Sequence, residues 1–196
     1  AEIGLKLYSL YISRGNLERA DKVIKRVIAV NPDYKNVTET ARKFYEENGD
    51  WKNAIELAVN EAIRTGSVSW FMKLKTYIDD GVANYLPSDY FEKPLISLYN
   101  IHQPQFEQLL ASLWHLYEKE ETFLQWLKTV NHLFSNLEVS REDNWDTTSL
   151  LFQQAYFKLI NGRYFIKEIQ PTLPAFFRHW LNITEPQKAN SICGAI

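Results

Sequence analysis

The feature that most restricts the fold is a self-similarity at a shift of 34 residues, which aligns Tyr11 with Tyr45, Gly15 with Gly49, Leu17 with Trp51 and Ala20 with Ala54. A repeat of that length is one supersecondary unit, and such a unit cannot bury its apolar face alone. Each copy reads as a helix, a short glycine-containing turn and a second helix. In the first copy, Leu5, Tyr8, Tyr11 and Ile12 form an apolar stripe at helical spacing, Arg14-Gly15-Asn16 interrupts it, and Ala20, Val23, Ile24, Val27 and Ile28 form the next. Asn31-Pro32 closes that helix, because the residue before proline is driven out of the α region. In the second copy, Ala41, Phe44 and Tyr45 lead into Asn48-Gly49-Asp50, and Trp51, Ala54, Ile55, Ala58 and Ala62 follow as far as Thr65-Gly66.

These positions are steric in character. Glycine at the turn accepts positive φ without the Cβ penalty, so the chain reverses within a few residues. Ala20 and Ala54 let paired helices approach closely, and the aromatics fill the space beside them. Tyr11, Gly15, Leu17, Ala20, Ile24 and Pro32 resemble the signature positions of a tetratricopeptide repeat (TPR) at that family's spacing. Tyr45, Gly49, Trp51 and Ala54 resemble a second copy, whereas Gly4 and Tyr8 stand where Trp and Gly are usual. The resemblance covers residues 1–66. It implies an all-α fold, a right-handed stack of antiparallel helical hairpins forming an α-α superhelix.

Beyond Gly66 the 34-residue phase is lost, since Asp79 and Ala83 occupy the Tyr and Gly positions. Helical spacing continues through Trp70, Phe71, Leu74, Tyr77 and Ile78 up to Asp79-Asp80-Gly81. Ser88 is placed to cap a helix that Pro94 kinks or splits, and Pro104 suits the first turn of a long helix running to Tyr117. A further stripe runs from Phe123 to Leu137. Residues 138–147 are the most polar stretch and read as a loop, with Thr147 or Thr148 capping the helix that follows to Asn161-Gly162. The last helical stretch, interrupted by Pro171 and Pro174, ends near Leu181. Strict alternation is absent, so about nine to eleven helices are expected and no strands. The expected organisation is residues 1–66 as two hairpins, 67–183 as a degenerate continuation packed on them, and 184–196 as a frayed tail.

Function classes narrow by elimination. The formal net charge is −2, and the excess of acid lies in residues 67–138, with 5 basic and 9 acidic side chains. That balance argues against nucleic acid or an anionic membrane as partner. No apolar run is long enough to span a membrane, and the single cysteine, Cys193, allows no internal disulfide. Motifs for nucleotide, zinc or redox chemistry are missing, and neither a cofactor nor a metal is expected. His115 and Glu118 share a helix face but lack a second ligand pair. The adjacent carboxylates Glu46-Glu47, Asp79-Asp80, Glu120-Glu121 and Glu142-Asp143 point in different directions on a helix and do not converge on a substrate. The expectation is a non-enzyme, and a cytoplasmic one.

Transferred position by position, the resemblance places Ser9, Ile12, Ser13, Lys43, Glu46 and Glu47 on a concave groove that holds an extended peptide or a partner helix. A mixed or basic peptide suits that charge set. Trp145, alone in the polar loop, is a second candidate partner contact if exposed. The leading expectation is a scaffold or interaction segment of a larger intracellular protein. The alternative is a helical arm acting on an attached catalytic domain such as a nucleotide hydrolase.

Overall fold

The computed structural model describes residues 1–34, 36–118, 120–140, 143–162 and 169–184, except the side chains of Glu120 and Glu121. Among the described residues the chain forms ten α-helices and one 3₁₀ turn, with no strand. The helices are α1 (Glu2–Ser13), α2 (Leu17–Val30), α3 (Val37–Glu47), α4 (Trp51–Thr65), α5 (Val68–Asp79), α6 (Glu92–Ile101), α7 (Gln103–Tyr117), α8 (Glu120–Asn136), α9 (Asp146–Asn161) and α10 (Leu173–Ile183); the 3₁₀ turn is Ser88–Phe91. The chain divides into two compact units, Ala1–Glu61 and Ala62–Ile196, with the division inside α4 and ahead of Gly66. Of the expected tail, Thr184 is described and its hydroxyl donates to the Trp180 carbonyl at 2.7 Å, while residues 185–196, with Cys193, lie outside the described residues, as does Glu142.

In the first unit, α1 packs on α2 and α2 on α3. The turn after α1 is a Schellman cap: Asn16 N–H donates to the Tyr11 carbonyl at 2.9 Å, and Gly15, at φ 68°, donates to Ile12 at 2.9 Å. The turn after α3 repeats it, with Asp50 to Tyr45 at 2.9 Å and Gly49, at φ 67°, to Glu46 at 3.1 Å. Asn16 and Asp50 then cap the following helices through Arg19 N–H at 3.2 Å and Asn53 N–H at 3.3 Å. A Cβ at Gly15 would meet open space, so alanine there carries the backbone cost alone. Gly15→Ala is expected to lower the unfolding free energy by about 1–2 kcal/mol, seen as a lower urea midpoint at unchanged slope. Ala20, Ile24, Val37, Ala41, Ala54, Ile55 and Ala58 are fully buried, which is the close-approach role their small or branched side chains suggest.

The second unit is organised around α7, which packs against α5, α6, α8 and α9. Phe106, Leu109, Leu110, Leu113, Trp114 and Tyr117 are all buried along it, as a helix surrounded on most sides requires. Its neighbours add fully or nearly fully buried Phe71, Leu95, Phe123, Trp126 and Phe152, and α10, packed on α8 and α9, adds Phe176. Rings meet edge to face at Trp114–Trp126 (4.6 Å) and stack at Phe152–Phe176 (4.9 Å). Such pairs add about 0.5–1.5 kcal/mol each beyond area burial.

Three local expectations are corrected here. Ser88 does not cap a helix: it is buried, and its hydroxyl pairs with Thr129 Oγ1 at 2.8 Å. Pro94 neither kinks nor splits α6, because it sits in the first turn, where its missing N–H breaks no intrahelical bond. Thr148 lies inside α9, and the helix start is satisfied from outside: Thr148 N–H and Oγ1–H both donate to Glu107 Oε2, at 2.7 and 3.0 Å.

Candidate functional site

The six groove candidates lie on α1 and α3, which meet where the Tyr8 and Phe44 rings stack edge to face at 5.7 Å. Helical spacing explains the face that results. Tyr8 turns toward α3, while Ser9, Ile12 and Ser13 follow on the solvent side, with Ile12 at 37% exposure. Ser9 and Ser13 direct their hydroxyl protons to the Leu5 and Leu10 carbonyls, at 3.0 and 2.9 Å, so each offers oxygen lone pairs outward. From α3, Lys43 and Glu47 are exposed. Burial first, and the Glu47 carboxylate second, push the Tyr8 hydroxyl above its ordinary pKa, so it stays a neutral donor beside that carboxylate. Tyr8 was not among the candidates. The sequence signal for it was its place one residue before Ser9 in an otherwise apolar stripe.

Glu46 has a different assignment. It is half-buried, and its Oε2 lies 2.5 Å from Arg42 Nη1. Arg42, 8% exposed, also spans to Glu39, with Nε donating to Oε2 at 2.8 Å and Nη2 to Oε1. The hydrogen bond from Arg42 holds the Glu39 carboxyl below the usual range, outweighing partial burial that acts the other way. A depressed carboxyl contributes stability that is present above the unfolded value of about 4.3 and disappears as pH falls through the folded value. Arg42→Met is therefore expected to cost about 1–2 kcal/mol at pH 7, discounted because the Glu39 carboxylate is partly open to solvent. That cost should shrink as pH falls through the depressed Glu39 value of the native protein, below which the carboxyl is protonated in both proteins. Paired urea titrations at pH 7 and at acid pH check it.

Trp145 requires a correction. It is 4% exposed, its Nε1–H donates to the Ser140 carbonyl at 2.9 Å, and its ring lies against Tyr99 (5.6 Å), Phe134 (5.9 Å) and Phe106 (6.1 Å). The polar loop folds back, and its tryptophan enters the core of the second unit, so it presents no surface to a partner.

No family model, curated protein or solved structure matches the chain. The site is therefore read from its own chemistry. Among the described residues, no three His, Cys, Asp or Glu side chains gather closely enough to hold a metal ion. His115 and Glu118 are both exposed, and His115 lies near Asp79 of α5. No helix of the described residues is long and apolar enough to cross a membrane.

A cavity of about 530 Å³, unmarked by any sequence motif, opens in the second unit between the end of α8 and α10, over Phe134 and Leu137. There Ser135 Oγ sits 3.3 Å from His179 Nε2. The Ser135 proton is already given to the Asn131 carbonyl at 2.7 Å, so the imidazole is not acting as base to that hydroxyl. Burial, and then Arg178, lower the His179 pKa, leaving a neutral ring at pH 7. The arrangement is a polar rim without an activated nucleophile.

Proposed function

We propose that the chain is a protein-interaction module, a segment of a larger intracellular protein, that holds a peptide or partner helix on the α1–α3 face. The observation that carries this reading is the side-by-side placement of α1 and α3 through Tyr8 and Phe44, with Ser9, Ile12, Ser13, Lys43 and Glu47 turned to solvent around that contact. The composition of the face sets the ligand. Ile12 supplies an apolar anchor, the two serines accept hydrogen bonds, and Glu47 attracts a cation, with Lys43 as a single positive counterweight. An extended segment of mixed or basic sequence satisfies all of these at once. The TPR-like turns at Gly15 and Gly49 support the same reading, since they bring the first helices of successive hairpins to one side.

The test is affinity capture from source-cell lysate with the native chain beside a variant carrying Ser9→Arg, Lys43→Glu and Glu47→Lys, with recovered proteins identified by mass spectrometry. All three positions are exposed, so the variant is expected to keep its helical circular dichroism and its unfolding midpoint. A partner held by the native chain should fall by about tenfold or more on the variant, the loss typical of breaking a central contact. Equal recovery on both would remove the α1–α3 assignment.

A further inference from the structure

The opposite side of α1 carries a second surface. Ile3 and Leu7, one turn apart, point away from Ser9 and Ile12 on the helical wheel, and Ile3 is 83% exposed. Leu7 faces α2 across a trough of about 440 Å³ whose lining also includes Gly4, Lys22, Val23, Arg26 and Val30, and Ile3 stands outside that lining. Val30 is 75% exposed, and no side chain of α1 is buried. Gly4, Leu5, Tyr8 and Tyr11 are half-buried, so α1 keeps apolar surface open beside its contact with α2. Gly4 and Val27 form the floor: a Cβ at Gly4 would come 2.4 Å from Val27 Cγ2, so only glycine lets the two helices close this tightly. Rails at four-residue spacing on either side of a depression accept the ridge of another helix.

Charge identifies the occupant. Lys22 and Arg26 line the α2 rail one turn apart. Lys22 pairs with Glu18 at 2.5 Å, and Lys6 of α1 pairs with Glu2 at 3.0 Å. The neighbouring Lys25 pairs with Asp21 at 3.0 Å. Arg26 is exposed and has no acidic partner among the described residues, which leaves the rail net positive beside an apolar floor. We infer that the α1–α2 trough docks an amphipathic helix of a partner protein whose apolar stripe is flanked by acidic residues. Its contact spans about three turns, the roughly 18 Å length of α1. This surface is separate from the α1–α3 face and does not depend on it.

The test titrates the full chain into two fluorescein-labelled designed helices, read by fluorescence anisotropy. Both carry the same leucine stripe, flanked by glutamates in one and by lysines in the other. The glutamate helix should bind, and the lysine helix at least about tenfold more weakly. Arg26→Glu should reverse that preference, and Leu7→Glu should abolish binding of both. Ser9→Arg, on the other side of α1, should change neither, which separates this surface from the α1–α3 face. Circular dichroism confirms that each variant keeps its helices. The proposal is overturned by equal binding of the two helices, or by an unchanged preference in Arg26→Glu. It is overturned equally if sedimentation shows the chain self-associating through Leu7, with neither helix competing; a second copy is then the occupant.

Discussion

Replacing Glu107 with leucine is expected to lower the unfolding free energy by about 2–4 kcal/mol, among the largest single-site losses outside the aromatic core. The side chain is 6% exposed and serves two elements at once. Its Oε2 accepts the Thr148 N–H and hydroxyl, and its Oε1 accepts Gln103 Nε2–H at 2.6 Å. The Thr148 N–H belongs to the first turn of α9, where no backbone carbonyl is available, so a carboxylate from α7 does the work of an N-cap across the unit. Leucine of similar volume leaves that N–H and the hydroxyl buried without an acceptor, whereas the half-buried Gln103 amide keeps its bond to the Asn144 carbonyl at 2.7 Å. Glu107→Gln keeps one accepting oxygen but turns an NH₂ toward another donor, and should lose about half as much. Urea unfolding of both variants at pH 7 measures the difference. A Thr148→Val partner variant closes a double-mutant cycle on the hydroxyl contact.

Trp145→Ala should cost about 3–5 kcal/mol, because a large ring is removed from between Tyr99, Phe106 and Phe134. The hydrogen bond from Nε1 to the Ser140 carbonyl is lost with it, so the loop loses its attachment to the core. Trp145→Phe isolates that bond: most packing is retained, and the expected loss falls to about 1–2 kcal/mol. The Tyr99 hydroxyl lies 3.0 Å from both the Glu138 carbonyl and Asp143 Oδ2, and accepts Ser140 N–H at 3.3 Å. That second attachment should keep the loop partly ordered in the phenylalanine variant. Thermal unfolding followed by far-ultraviolet circular dichroism, which does not depend on the ring removed, reads both variants.

Local chemistry was legible in the chain, and contacts between distant elements were not. Helix stops at Val30, Asp79 and Asn161 follow from Asn31-Pro32, Asp80-Gly81 and Gly162, where proline or glycine acts on its own neighbourhood. The turns after Tyr11 and Tyr45 were legible for the same reason. A third turn of the same construction closes α5, with Val82 N–H donating to Tyr77 at 3.1 Å and Gly81 at φ 73°. It stands two residues short of the 34-residue phase, so a search at fixed shift passes over it although Tyr77 and Gly81 keep the spacing of Tyr11 and Gly15. Ser88, Thr148 and Trp145 were misread because each is satisfied by a residue about forty positions away or by burial that its polar neighbours conceal.

The candidate surface divides in the same way. Exposure of Ser9, Ser13, Lys43 and Glu47 follows from helical spacing alone. Engagement of Glu46 by Arg42 depends on side-chain reach within α3, and the part played by Tyr8 depends on α3 arriving beside α1. The first is a four-residue spacing within one helix, and the second is not visible until the helices are placed.

The most direct test of the proposed module is site-specific photo-crosslinking to the captured partner. A benzophenone amino acid is placed at Ser9, Ser13 or Lys43 in separate proteins, with exposed Lys52 of α4 as the control position. The account predicts partner adducts from the three α1–α3 positions, lost when Glu47→Lys is added, and none from Lys52. Adducts from Lys52 with none from Ser9, Ser13 or Lys43 would contradict it.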